Sequence, residues 1–140
     1  MFYLDPSLVV AALTAETHTK QAQDWLAQHL AEGFLLSAWT HVEVAAALNA
    51  KVRAQQLEPA FRVEALAAYE SIRSEQAAEI LPAANHFRRA AAIAGDRRTG
   101  VRGGDALHLA IAAEEDVPLA TMDQRQAQSA GELGLPFVLV

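Results

Sequence analysis

Short apolar runs alternate with longer helical patterns along this chain. Phe2–Leu4, Phe34–Ser37, Leu119–Thr121 and Phe137–Val140 are mainly apolar stretches of strand length. Pro6 opens a helix to about Leu13, at a first position where a missing N–H costs nothing. From His18 to Leu30, Ala22, Trp25, Leu26 and His29 recur at helical spacing until Gly33 ends the run. Thr40 begins the next helix, to about Gln55, and Thr40-x-x-Glu43 has the form of a capping box. Pro59 starts another, with an apolar stripe of Phe61, Ala65, Leu66, Ala68 and Tyr69. Ile80–Leu81 reads as a short strand, and Pro82 opens a helix that stops at Gly95. Asp96–Gly104 is a charged, glycine-containing surface loop; Asp105 then caps the apolar helix Ala106–Ala113. Gln124–Leu133 forms a last helix, stopped by Gly134. Strands alternating with helices predict an α/β fold: a mostly parallel sheet with helices on both faces, in a single domain spanning 1–140.

Composition narrows the chemistry. Apolar residues make up 52% of the chain and aromatics 6%, so helices pack closely over small side chains. The chain has no cysteine, which excludes disulfides, zinc–thiolate centres and thiol nucleophiles. The first residues lack the basic-then-apolar layout of a signal peptide, and no run is long enough to cross a bilayer. A soluble, cytoplasmic protein with no membrane contact is the expectation. The net charge of −6 argues against a general nucleic-acid binder, yet five of eleven basic residues fall between Arg88 and Arg102.

Four acids carry the functional question. Asp5 follows the first strand, Asp123 the fourth, Glu43 lies in the first turn after the second, and Asp105 begins the apolar helix. In open parallel sheets, ligands bind beyond the carboxyl ends of the strands. Each acid also stands where a helix needs a cap or a negative charge, which explains it singly without function. Four carboxylates on one edge, however, repel one another unless a cation neutralises them. All-oxygen ligation without cysteine or clustered histidine favours Mg²⁺ or Mn²⁺, which suits phosphate chemistry.

The segments YLDPSLVVAAL, THVEVAAAL, GGDALHLAIA and LATMDQRQAQSAGELGL together resemble the PIN domain, in particular the VapC-type ribonuclease toxins. The resemblance spans nearly the whole chain, with the motifs in matching order. It implies a three-layer α/β/α sandwich and Mg²⁺- or Mn²⁺-dependent endonucleolytic cleavage of RNA, leaving a 5′-phosphate and a 3′-hydroxyl. It assigns Asp5, Glu43, Asp105 and Asp123 to the catalytic, metal-binding quartet, with Ser7 and Thr121 as hydroxyls near the metal. Pro6 departs from the pattern, because the family usually has Ser or Thr directly after the first aspartate. The resemblance also implies a homodimer and a small antitoxin protein, expected on an apolar groove along the early helices, Leu8 to Leu66.

Other candidates are weighed against plainer roles. The five histidines show no HExxH-type spacing. His108, one turn beyond Asp105, reads as a satisfied core histidine, and His41 as an exposed first-turn residue. Arg88, Arg89, Arg97, Arg98 and Arg102 are candidates for RNA phosphates, with Arg97, Arg98 and Arg102 nearest the acids in sequence; local ion pairing is the alternative. Trp25 and Trp39 read as core or interface residues rather than base-stacking platforms. No P-loop and no DxDx[TS] motif is present. The competing reading of the whole is a non-catalytic α/β binding module whose acids only cap helices.

Overall fold

A computed structural model describes residues 1–140. Its strands are β1 (Phe2–Leu4), β2 (Phe34–Ser37), β3 (Ala77–Ile80), β4 (Leu119–Thr121) and β5 (Phe137–Leu139). Its helices are α1 (Pro6–Leu13), α2 (Thr19–His29), α3 (Ala38–Arg53), α4 (Pro59–Glu75), α5 (Ala84–Ala94), α6 (Gly103–Glu114) and α7 (Gln124–Glu132). All pairings are parallel, in the order β3-β2-β1-β4-β5.

Alternation along the strands explains why helices cover both faces. Leu4, Phe34, Leu36 and Ala120 point to one side, where they pack with Leu8, Val9, Val44, Leu48, Ala65 and Tyr69 of α1, α3 and α4. Tyr3, Leu35 and Leu119 point to the other and meet Ala90, Ile93, Leu109, Ile111 and Ala130 of α5, α6 and α7. The result is a three-layer α/β/α sandwich. The parallel strands are short enough that most of β1, β2 and β4 is buried, which is why they read as apolar runs.

Several boundaries differ from expectation for local reasons. The edge strand is Ala77–Ile80, not Ile80–Leu81; Leu81 is 73% exposed. Ala77–Ile80 pairs on one side only, so it needs no apolar run to form. Pro82 lies before α5, which starts at Ala84, with the Ala83 N–H donating to His86 Nδ1 at 2.8 Å. The capping box of α3 is formed by Ser37 and Thr40, not Thr40 and Glu43. Thr40 N donates to Ser37 Oγ and Ser37 N to Thr40 Oγ1, each at 3.2 Å. Phe61 leaves the predicted stripe of α4 and stands 58% exposed. No helix is long and apolar enough to cross a membrane.

Candidate acidic site at the carboxyl edge of the sheet

Neighbouring strands β1 and β4 end side by side, and both turn into helices through an aspartate. Asp5 caps α1, its Oδ2 accepting from the Ser7 N–H at 2.9 Å and from the Ser7 hydroxyl. Thr121 Oγ1 donates to the same oxygen at 3.1 Å. Ser7 Oγ accepts from Met122 N at 3.0 Å, and Thr121 Oγ1 from Asp123 N at 3.0 Å. Both hydroxyls picked out by resemblance therefore join the ends of β1 and β4 around Asp5. Pro6 occupies the first turn of α1, and the hydroxyl at this corner is supplied by Ser7.

Asp123 caps α7, with Oδ1 accepting from Arg125 N at 2.7 Å and Gln126 N at 3.2 Å. Asp105 is not the cap of its helix, as its position before the apolar stretch implied. The helix starts two residues earlier, at Gly103, and Asp105 Oδ2 reaches back to the Arg102 N–H at 3.2 Å. The capping reading therefore holds for Asp5 and Asp123, while Asp105 serves its helix from the first turn; each uses only half of its carboxylate. Asp5 Oδ1, Asp105 Oδ1 and Asp123 Oδ2 accept no hydrogen bond from the protein.

Glu43 differs. Its Oε1 accepts from Trp39 Nε1 at 3.0 Å and its Oε2 from His108 Nε2 at 3.0 Å. His108 is fully buried, and its Nδ1 is bonded to the Tyr3 hydroxyl at 2.6 Å. Tyr3 Oη donates in turn to Ser37 Oγ at 2.7 Å. A polar chain therefore runs from the capping box of α3 through the core to the glutamate. Burial alone raises the Glu43 pKa, but the hydrogen bond and charge of His108 and the Trp39 N–H outweigh it and hold the carboxyl below its ordinary range. Burial likewise keeps the Tyr3 phenol well above its ordinary value, hence neutral.

Asp105 shifts the other way. Burial raises its pKa first, and the charges of Asp5, Asp123 and Glu43 raise it further against the lowering bond from Arg102 N. Asp5, Asp123 and Glu43 therefore all bear on Asp105. Glu43, Asp105 and Asp123 line a cavity of about 510 Å³ together with Trp39, Arg102 and Arg125. Asp5, 4% exposed, is not part of its wall. No three of these carboxylates stand close enough to share an ion in this geometry. Gly104 completes the wall, because a Cβ there would collide with Glu43 Oε1.

The arginines divide. Arg98 is bound to Asp96, Nη2 to Oδ2 at 2.7 Å, and to the Glu132 carbonyl, the local pairing that stood as the alternative to a phosphate contact. That pairing, through side-chain and backbone bonds, lowers the Asp96 pKa to about 2. Arg89 pairs with Glu114 at 2.6 Å. Arg97 is exposed without such a partner, and Arg102 lines the acidic cavity. Arg125 and Trp39 were not singled out for the site in the sequence. Arg125 lies two residues after Asp123 and Trp39 four before Glu43, a helical spacing that puts indole and carboxylate on one face. His41 is not simply exposed: it bonds the Tyr69 hydroxyl and, at 3.0 Å, Glu79.

Comparison with solved structures returns the same fold at low sequence identity. VapC20 of Mycobacterium tuberculosis, described as a sarcin–ricin-loop-cleaving toxin, aligns with TM-score 0.70 at 15% identity, covering 91% of this chain and 93% of its own. VapBC2 of Rickettsia felis, solved with a DNA fragment from its promoter, gives 0.72 at 13%, covering 99% and 98%. FitAcB of Neisseria gonorrhoeae gives 0.66 at 17%, covering 98% and 96%. No curated protein matches in sequence. The family model of the PIN domain matches residues 2–132, a span that contains all four acids and every strand but the last. The chain belongs to the PIN domain family.

Proposed function

We propose that the chain is a metal-dependent endoribonuclease, the toxin of a toxin–antitoxin pair. One observation carries this reading: Asp5, Asp105 and Asp123 each spend one carboxylate oxygen on a local backbone or hydroxyl donor and keep the other free at a common edge. A module that used its acids only as caps gains nothing from gathering them where they raise the pKa of Asp105. The competing reading explains each cap but not their convergence.

The donors fit a hard divalent cation in type, being carboxylate oxygens without thiolate or imidazole. No three of them stand close enough to share an ion directly, so a cation would have to be reached in part through the several waters that Mg²⁺ usually keeps. A cation bound there would supply an activated water and neutralise charge on the phosphoryl oxygens. Asp5, Asp105 and Asp123 would hold it, directly or through its waters; Ser7 and Thr121 fix the orientation of Asp5. Glu43, with both oxygens committed, orders the water at the mouth of the site. Arg102, Arg125 and Arg97 take neighbouring phosphates. RNA is the substrate we favour, by resemblance to the VapC-type ribonuclease toxins, and a neighbour in fold is described as a sarcin–ricin-loop-cleaving toxin.

The partner reading belongs with it. Cavities of about 560 and 520 Å³ share Ala12, Leu13, Gln23 and Ala68 and form one groove between α1, α2 and α4, with Phe61 and Leu30 exposed at its ends. An amphipathic segment of a small antitoxin docks there, on a chain that is itself a homodimer. The decisive experiment is Mn²⁺-stimulated cleavage of structured RNA by the purified, antitoxin-free chain. Activity is expected to vanish on chelation and in Asp105→Asn, which keeps its native circular dichroism. An inactive native protein, or an unaffected variant, overturns the proposal.

A further inference from the structure

The acidic cavity has walls that hydrolysis alone leaves unused. Trp39 packs on its inner side against the buried cluster around Leu35 and Leu109, yet stays partly exposed where it lines the cavity. Its Nε1–H is already committed to Glu43, so the ring is fixed in place. A rigid indole left beside an open polar cavity offers an aromatic face for a planar ligand. Arg102 and Arg125 line the same space, next to Asp105 and Asp123, and neither guanidinium is tied to a carboxylate as those of Arg89 and Arg98 are. A volume of about 510 Å³ is ample for a small ligand.

We propose that this cavity seats one nucleotide beside the cleaved phosphate of a single-stranded RNA segment, its base stacked on Trp39 and its phosphates on Arg102 and Arg125. The inference rests on the ribonuclease reading and adds a base-binding surface to it. An aromatic ring beside cations and carboxylates matches the three parts of a nucleotide bound through a metal: base, phosphate and ion. Stacking is tolerant of sequence, since every base has a π-face. Because the same indole holds Glu43, a base that settles on Trp39 also steadies the glutamate.

The test reads binding, not turnover. In Asp105→Asn combined with Trp25→Phe, Trp39 is the sole tryptophan and no RNA is cut. The probes are hexa-adenylate and a hexamer of abasic ribose phosphates of equal charge, both added with Ca²⁺. Hexa-adenylate is expected to quench the emission and to bind about ten-fold more tightly than the abasic hexamer, as one base stack allows. Trp39→Leu in the Asp105→Asn background, read by anisotropy of the labelled hexamers, is expected to erase that preference. Trp39→Phe, which keeps a ring but no N–H, is expected to restore it. An unquenched complex, or a preference for bases that survives Trp39→Leu, overturns the proposal. Base-dependent quenching by a native chain that cleaves nothing would separate the fate of this inference from that of the nuclease reading.

Discussion

The carboxyl edge of the sheet and the groove between α1, α2 and α4 are built on opposite physical terms. At the edge, position is set atom by atom: Asp5, Asp123 and Glu43 are each oriented by two or more hydrogen bonds from named donors. In the groove, alanines and methylene stems present an area; Gln23 Nε2 donates to Ala12 O at 2.8 Å along its wall, but no such bonds orient the apolar side chains that make up most of its lining. The difference teaches where sensitivity lies. An isosteric change that removes one charge should destroy the first region and leave the second untouched, whereas the groove tolerates exchanges of similar size and fails only on a buried charge.

The largest expected effect breaks the edge alone. Asp123→Asn keeps a good N-cap, so stability should change little. Cleavage should fall by about 10²–10³-fold or more, as for removal of one group that stabilises developing charge. Initial rates on an RNA substrate measure the cleavage, and thermal melts the stability. Equal loss of both would mean that Asp123 is a cap and nothing else.

The converse breaks the groove alone. Ala68 is exposed on the groove wall, so Ala68→Asp threatens no core packing. It should weaken binding of the neutralising partner about 30-fold, at the lower bound of a hot-spot effect, while unbound chains cleave as before. Calorimetric titration with the antitoxin decides it. Undiminished affinity would place the partner elsewhere.

How far the sequence could reveal these two regions follows from the same contrast. Strands β1, β2 and β4 were legible because both faces are buried and their residues run apolar. Edge strand β3, Ala77–Ile80, was not, since an Ala-Ala-Glu-Ile stretch half in water carries no hydrophobic signal. The three aspartates are legible because local chemistry at helix starts also favours them there, Asp5 and Asp123 as caps after β1 and β4 and Asp105 in the first turn of α6. Glu43 stands out by its place in the first turn after β2, but not as the capping-box partner of Thr40: its carboxylate turns to His108, 65 residues away, instead of capping α3. The Tyr3–His108 bond joins residues 105 apart, a distance over which no spacing rule operates. His108 as a satisfied core histidine was a correct reading, but what satisfies it reaches the site.

That buried chain supplies the next effect. His108→Asn should cost about 1–3 kcal/mol, because Glu43 and Tyr3 lose their partner inside the fold. The pH dependence has a definite sign. A carboxyl held below its ordinary pKa contributes stability that is present above the unfolded value and lost as pH falls through the folded one. The variant should therefore be most destabilised near neutral pH, and the gap to the native chain should narrow on acidification below the ordinary glutamate range. Urea midpoints across that window test it. A gap independent of pH would assign His108 to packing alone.

Gly104→Ala gives the smallest change in stability and the sharpest separation of the two kinds of order. Alanine is the better helix former, worth up to about 1 kcal/mol within a helix, so the first turn of α6 should hold or gain stability. The added methyl would collide with Glu43 Oε1, and that atom is the end of a flexible side chain, so the glutamate moves and the helix stays. Moving it breaks the bond from Trp39 and disturbs the one from His108. Activity should fall about ten-fold or more, as misplacement of a positioned group does, with partner binding in the groove intact. A crystal structure of the variant should show Glu43 alone displaced. If activity persists with Glu43 displaced, the free oxygens of the three aspartates suffice, and Glu43 belongs to the scaffold of the edge.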